Sequence, residues 1–246
     1  MRRIIAILMI LLLSCSPRFQ EMRTLLEDPD NIIVPFDSTF LGFNVVMEHF
    51  AQQDARLVDT VPRIVFTGSS SIRLWDSLAT DMDTFPYQVL NRGFGGSILP
   101  EINYFFDHLI TVHQPEVVVL YCGENDIIDG YQAKNVLASF RTFLRLMLHN
   151  SPCTKVIYVS MKPSLARWKI WPEMAKGNRL IEQFIARLDN PDIHYLDISV
   201  PMLDPENGGL PRPELFSDDQ LHMNREGYLI WRAAVAPALK KLLPSV

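Results

Sequence analysis

The chain reads as an α/β protein, a three-layer α/β/α domain around a central, mainly parallel five-stranded sheet. Three observations predict this. Five short runs rich in β-branched and apolar residues alternate with segments of helical periodicity. Two of the runs, Glu116–Tyr121 and Lys155–Ser160, are almost continuously apolar, as strands covered on both faces must be. Glycine-rich or polar loops follow the strands, which is where open parallel sheets carry their sites.

The elements follow in order. Phe40, Phe43, Val46 and Phe50 recur at helical spacing and predict a helix over Phe36–Leu57. Arg63–Thr67 is the first strand, and Tyr87–Asn91 the second. Pro100, a good first-turn residue, opens a helix expected over Glu101–Val112. The third strand is Glu116–Tyr121. A helix over Tyr131–His149 is apolar at Val136, Phe140, Phe143, Leu144, Met147 and Leu148. The fourth strand, Lys155–Ser160, leads to a helix over Pro172–Leu188, and Ile193–Asp197 is the fifth and weakest strand. Asn224 caps a last helix to Leu243, which Pro237 is expected to kink or split.

Of 246 residues, 48% are hydrophobic and 21% charged, a globular composition that excludes a disordered or fibrous chain. The formal charge of −5 and the lack of a long basic run argue against nucleic acid as a partner. The start of the chain differs from the rest. Met1-Arg2-Arg3 is a positive head, and Ile4–Leu13 is an apolar run too short to span a bilayer, which takes about 20 residues. This is the pattern of a secretory signal peptide. Leu12-Leu13-Ser14-Cys15 resembles the bacterial lipobox, which implies lipidation of Cys15 as the first mature residue. Ser16 in place of Asp implies no inner-membrane retention, hence an envelope lipoprotein anchored at the outer membrane. The expected organisation is a signal peptide over 1–14, a tether over 15–35 and one domain over 36–246. Removing Arg2 and Arg3 takes the formal charge from −5 to −7. Beyond the anchor only Cys122 and Cys153 remain, too few for a disulfide scaffold. Cys122, ending an apolar run, reads as a buried small hydrophobe.

Four blocks at strand ends carry chemistry. Gly68-Ser69-Ser70-Ser71-Ile72 follows the first strand; three serines there fit a helix cap as well as a nucleophile, and the missing Gly-Lys-Ser/Thr ending excludes a phosphate loop. Asn91-Arg92-Gly93-Phe94-Gly95-Gly96-Ser97 can point backbone N–H groups at a ligand, but Ile98 breaks the dinucleotide fingerprint. Gly123-Glu124-Asn125-Asp126 is either a polar turn or a source of a side-chain amide. Asp219-Gln220-Leu221-His222 spaces a carboxylate to fix an imidazole tautomer. The six His are scattered, so no metal site is expected.

In this order the four blocks resemble the SGNH, or GDSL-type, hydrolases, over roughly Arg63–Leu239. The resemblance implies a flavodoxin-like sheet and a serine esterase needing no cofactor or metal, with an ester as its small-molecule partner. Aligned on Gly68, it puts the nucleophile on Ser70, although Ser69 stands where the family usually has Asp, leaving Ser69 and Ser71 open. It puts the base on His222, its carboxylate on Asp219, and the oxyanion donors on the N–H groups of Ser70 and Gly96 and on Asn125 Nδ2. Arg167, Trp168 and Trp171, after the fourth strand, suggest a substrate wall or packing over the sheet edge in equal measure. Short-acyl esters of carbohydrates are the expected substrates, lipid esters the alternative, and a non-catalytic binding lipoprotein the alternative of another class.

Overall fold

The computed structural model describes residues 24–25, 33–57 and 61–243. The signal segment and Cys15 lie outside them. Five parallel strands form the sheet: β1 (Arg63–Gly68), β2 (Gln88–Gly93), β3 (Val117–Tyr121), β4 (Lys155–Val159) and β5 (Ile193–Leu196). Their order is β2-β1-β3-β4-β5. This is the flavodoxin-like winding, whose direction reverses between β1 and β3, so a crevice opens beyond their carboxyl ends.

Alternation along the strands explains the two coats of helices. Val65, Val118, Leu120, Val156 and Tyr158 face one core. Ile64, Phe66, Val117, Val119, Tyr121, Ile157 and Val159 face the other. Both faces of β1, β3 and β4 are covered, which is why the central runs lack the alternation of a half-buried strand. The first core is closed by α1 (Asn44–Asp54), α4 (Leu99–Tyr104), α5 (Phe106–Leu109), α7 (Ala133–Asn150) and α8 (Trp171–Leu188). The second is closed by α2 (Ser70–Arg73), α3 (Leu78–Asp81) and α9 (Arg225–Leu242). A short helix, α6 (Glu124–Ile128), follows β3, and the two-residue strands β6 (Leu203–Asp204) and β7 (Leu210–Pro211) form an antiparallel ribbon.

Departures from the sequence reading have local causes. The helix expected over Phe36–Leu57 begins as a 3₁₀ segment, Ser38–Phe43, whose first turn is capped by the Asp37 carboxylate accepting from Thr39 N at 2.8 Å. The helix expected over Glu101–Val112 is broken into α4, α5 and a 3₁₀ turn, Thr111–His113. The adjacent pairs Phe105–Phe106 and Leu109–Ile110 are all buried, and one straight stripe cannot bury neighbours so placed. Pro237 does not split the last helix: α9 runs through it. Trp231, Val235 and Leu239, on both sides of the proline, are fully buried against the sheet and carry the helix past the missing N–H. Asn224 caps α9 as expected, its Oδ1 accepting from Glu226 N and Gly227 N. Cys122 and Cys153 are free thiols, and burial pushes the Cys122 thiol well up, so it remains a protonated core group. Among the described residues, no helix is long and apolar enough to cross a membrane.

Candidate active site

The carboxyl ends of β1 and β3 lie side by side, Gly68 opposite Tyr121. Ser69 N donates to Tyr121 O at 3.1 Å, ending β1 against its neighbour, and the chain turns at once into α2. That turn separates the three serines. Ser69 and Ser71 are buried at 3% and 2% exposure, whereas Ser70, the first residue of α2, is half-buried and faces out.

From the far end of the chain, the turn before α9 brings up the imidazole. His222 Nε2 lies 2.9 Å from Ser70 Oγ, and His222 Nδ1 lies 2.6 Å from Asp219 Oδ2. Asp219 Oδ1 also accepts from the backbone N–H of Leu221 at 3.0 Å and of His222 at 2.9 Å. The Asp-x-x-His spacing closes this loop because Gln220 adopts a left-handed conformation, φ 53°. Some burial resists ionisation of Asp219, but the His222 ring and the two backbone donors outweigh it and hold the carboxyl down to about 2. The aspartate is therefore an anion throughout the neutral range, with one oxygen reserved for the ring.

The glycine turn is tied at both ends. Phe94 N donates to Gly68 O at 2.9 Å, and Ser97 O accepts from Asn125 Nδ2 at 3.0 Å. Between these ties sits Gly96, exposed, at φ 83°. Asn125 lies in the first turn of α6, shortly after β3. Its neighbour Asp126 is buried, and its carboxylate accepts Leu99 N at 3.1 and 3.2 Å.

Burial pushes the Asp126 carboxyl up to about 7. In an unfolded chain an aspartate titrates at about 3.9. Between about pH 4 and 7 the native state therefore holds a proton that the unfolded state has lost, so this residue's contribution to stability falls as pH rises. Asp126→Asn removes that penalty. The Tm of the variant relative to wild type is expected to climb from pH 4 to pH 8, read by thermal melts at both ends; a flat difference would refute the assignment.

Sequence reasoning did not find the cluster behind Asn125. Glu124 is buried, with Lys162 Nζ 2.9 Å from Oε2 and Arg167 NH1 3.1 Å from Oε1. Tyr121 OH donates to Glu124 Oε2 at 2.5 Å. Burial opposes the charge on Glu124, yet the two cations win and keep it ionised, while burial and that carboxylate keep the Tyr121 phenol neutral. Lys162 is fully buried although it follows β4 by only three residues, a position no sequence pattern marks as internal. Of the three residues suggested as a substrate wall, Arg167 donates to Asn125 Oδ1 at 2.9 Å, and the half-buried Trp168 and Trp171 rings stack on each other at 6.2 Å. Among the described residues, no group of three or more His, Cys, Asp or Glu is arranged to hold a metal ion.

A five-stranded parallel sheet with Ser, Gly, Asn and His gathered at its carboxyl edge defines the class of this protein, an SGNH-type ester hydrolase. Residues 65–230 match the GDSL-like lipase/acylhydrolase family, and the chain belongs to that family. Solved structures share the fold. One is a GDSL-like lipase from Bacteroides thetaiotaomicron, 24% identical with a TM-score of 0.65, covering 80% of this chain and 98% of that one. A second is a Streptococcus pneumonia protein provisionally assigned as a platelet activating factor, 16% identical, TM-score 0.69, covering 80% and 92%. A third is a family 3 carbohydrate esterase from Talaromyces cellulolyticus, 18% identical, TM-score 0.59, covering 74% and 97%. No protein of curated function matches the chain.

Proposed function

We propose that this protein is a lipid-anchored serine esterase that removes short acyl groups, acetyl above all, from carbohydrates, with Ser70, His222 and Asp219 as its catalytic triad. The observation that carries the reading is the unbroken relay from Ser70 Oγ through the His222 ring to Asp219, 2.9 and 2.6 Å long. A serine hydroxyl is a weak nucleophile until a base takes its proton. His222 Nε2 accepts that proton as Oγ attacks the ester carbonyl, and Asp219 stabilises the imidazolium formed. Ser70 N–H, Gly96 N–H and Asn125 Nδ2 receive the carbonyl oxygen as it gains charge. His222 then protonates the departing alkoxide. Water, deprotonated by the same ring, attacks the acyl-enzyme and releases the acid and Ser70.

Two features favour a sugar ester. The Trp168–Trp171 pair follows Arg167, the residue that reaches Asn125, where the loop after β4 passes into α8, and half-buried indole faces suit sugar rings. The likeness to a carbohydrate esterase points the same way. The family's lipase members keep lipid esters as the second reading. Chain length separates the two: hydrolysis of p-nitrophenyl acetate is expected to exceed that of the octanoate by at least about tenfold in kcat/KM, the worth of a few methylenes that find no pocket. Faster hydrolysis of the octanoate would favour the lipid reading. The Leu12–Cys15 segment supports anchorage through Cys15 at the bacterial outer membrane, which globomycin-sensitive labelling with radioactive palmitate tests.

A further inference from the structure

The loop after β4 is wired to both halves of the site. Its Ala166 N donates to Gln220 O at 3.2 Å, inside the Asp219–His222 turn. Its Arg167 reaches the other half, one guanidinium nitrogen meeting both Asn125 Oδ1 at 2.9 Å and Glu124 Oε1 at 3.1 Å. The side chain is 16% exposed. The guanidinium thus spends this nitrogen on the protein's own groups.

We propose that Arg167 is a positioning residue for the oxyanion hole, acting through Asn125; the proposal rests on Asn125 being an oxyanion donor. A primary amide presents a donor on one side and an acceptor on the other, and rotation by half a turn exchanges them. Asn125 is held against that exchange at both ends. Ser97 O is an acceptor and takes one Nδ2 hydrogen at 3.0 Å, while the guanidinium is purely a donor and takes Oδ1. One Nδ2 hydrogen is left for the substrate oxygen. Without Arg167, Oδ1 loses its partner and the amide is free to turn its lone pairs toward an oxygen gaining negative charge, which repels it.

The guanidinium also acts at a distance. A cation bonded to Oδ1 draws electron density through the amide and strengthens Nδ2–H as a donor. Glu124 with Lys162 and Arg167 carries a net charge of +1, set behind the place where negative charge develops. Lys162 and Tyr121 fix Glu124, and Glu124 fixes Arg167, so the donor is aligned before substrate arrives. This is a chain of support from the core to the reacting atoms.

The test is a double-mutant cycle in the full chain with p-nitrophenyl acetate, using Arg167→Met, Arg167→Lys, Asn125→Ala and Arg167→Met/Asn125→Ala. Losing a donor outright costs on the order of 10² to 10³ in kcat, so a misaligned donor is expected to cost about 10- to 30-fold, with KM within about twofold. Arg167→Lys, keeping charge and a single donor, is expected to recover part of the loss. On the Asn125→Ala background, Arg167→Met is expected to cost less than about twofold more, because its effect runs through the missing amide. A full, additive loss on that background would overturn the proposal, as would a loss confined to KM. Unchanged kcat in Asn125→Ala would sink the oxyanion assignment and this proposal together, whereas a depressed Asn125→Ala with an additive Arg167→Met would sink this one alone. Should circular dichroism find Arg167→Met unfolded, Arg167→Lys replaces it in the cycle under the same criteria.

Discussion

Replacing Ser70 by Ala is expected to lower kcat/KM for p-nitrophenyl acetate by about 10⁵, while the fold stays intact. Removing a member of a triad that works as a unit costs losses of this order. Neither neighbour substitutes for the lost hydroxyl. Ser69 and Ser71 are buried beside it, and only Ser70 Oγ lies within hydrogen-bond distance of His222 Nε2. On the proposed mechanism, the residual rate over water comes from binding and the oxyanion donors, which the substitution leaves in place. His222→Ala is expected to cost about as much, and the double variant Ser70→Ala/His222→Ala hardly more than either alone. Stability should change by less than about 1 kcal/mol, since Ser70 is half-buried and its Oγ caps nothing. Steady-state kinetics with an urea melt measures both. Ester hydrolysis surviving in the Ser70→Ala variant would remove this residue from the mechanism.

Much of this site was legible in the sequence, for a physical reason. Groups that act at strand ends leave signatures within a few residues, because the chain must turn there: Gly68 before the serines, Gly95-Gly96 before Ser97, Gly123 before Asn125. The parallel sheet then brings distant turns to one edge. Strand bounds shifted by one or two residues only, as with β2 running on to Gly93. What escaped notice depends on long-range packing. Nothing near Lys162 in the sequence announces its partner Glu124, 38 positions earlier. Arg167 reads in the sequence as part of a substrate wall or as packing over the sheet edge, and only the folded loop after β4 aims it at Asn125. The turn into α2, which buries Ser69 and Ser71 and leaves Ser70 half-buried, is likewise a matter of packing that the serine run itself does not show. Breaks within the helix after Pro100 followed from burial on more than one side, a demand that composition states but periodicity conceals.

Gly68→Ala is expected to be the most damaging single substitution to stability, because one methyl there would meet the backbone of the next strand. Gly68 has φ 135°, a region that L side chains rarely adopt. A Cβ built on it would lie 1.8 Å from Tyr121 O and 2.7 Å from the Tyr121 carbonyl carbon. These atoms cannot rotate away as a side-chain end would. Tyr121 O already accepts Ser69 N at 3.1 Å, and Gly68 O accepts Phe94 N at 2.9 Å, so relief requires parting β1 from β3 or from β2. Strain at such a φ costs about 1–3 kcal/mol and overpacking a rigid site about as much again, together on the order of 4 kcal/mol. That is a large share of the 5–15 kcal/mol typical of a folded domain. The urea midpoint should fall accordingly, and any folded remainder should hydrolyse ester poorly, since Ser70 follows two residues on and moves with the strand end. Gly42→Ala is the matched control: nothing lies within 4 Å of the added carbon, so its midpoint should remain near wild type. A Gly68→Ala protein with an unshifted midpoint would mean that β1 and β3 do not meet at this point, and the crevice that gathers Ser70, Asn125 and His222 would lose its structural basis.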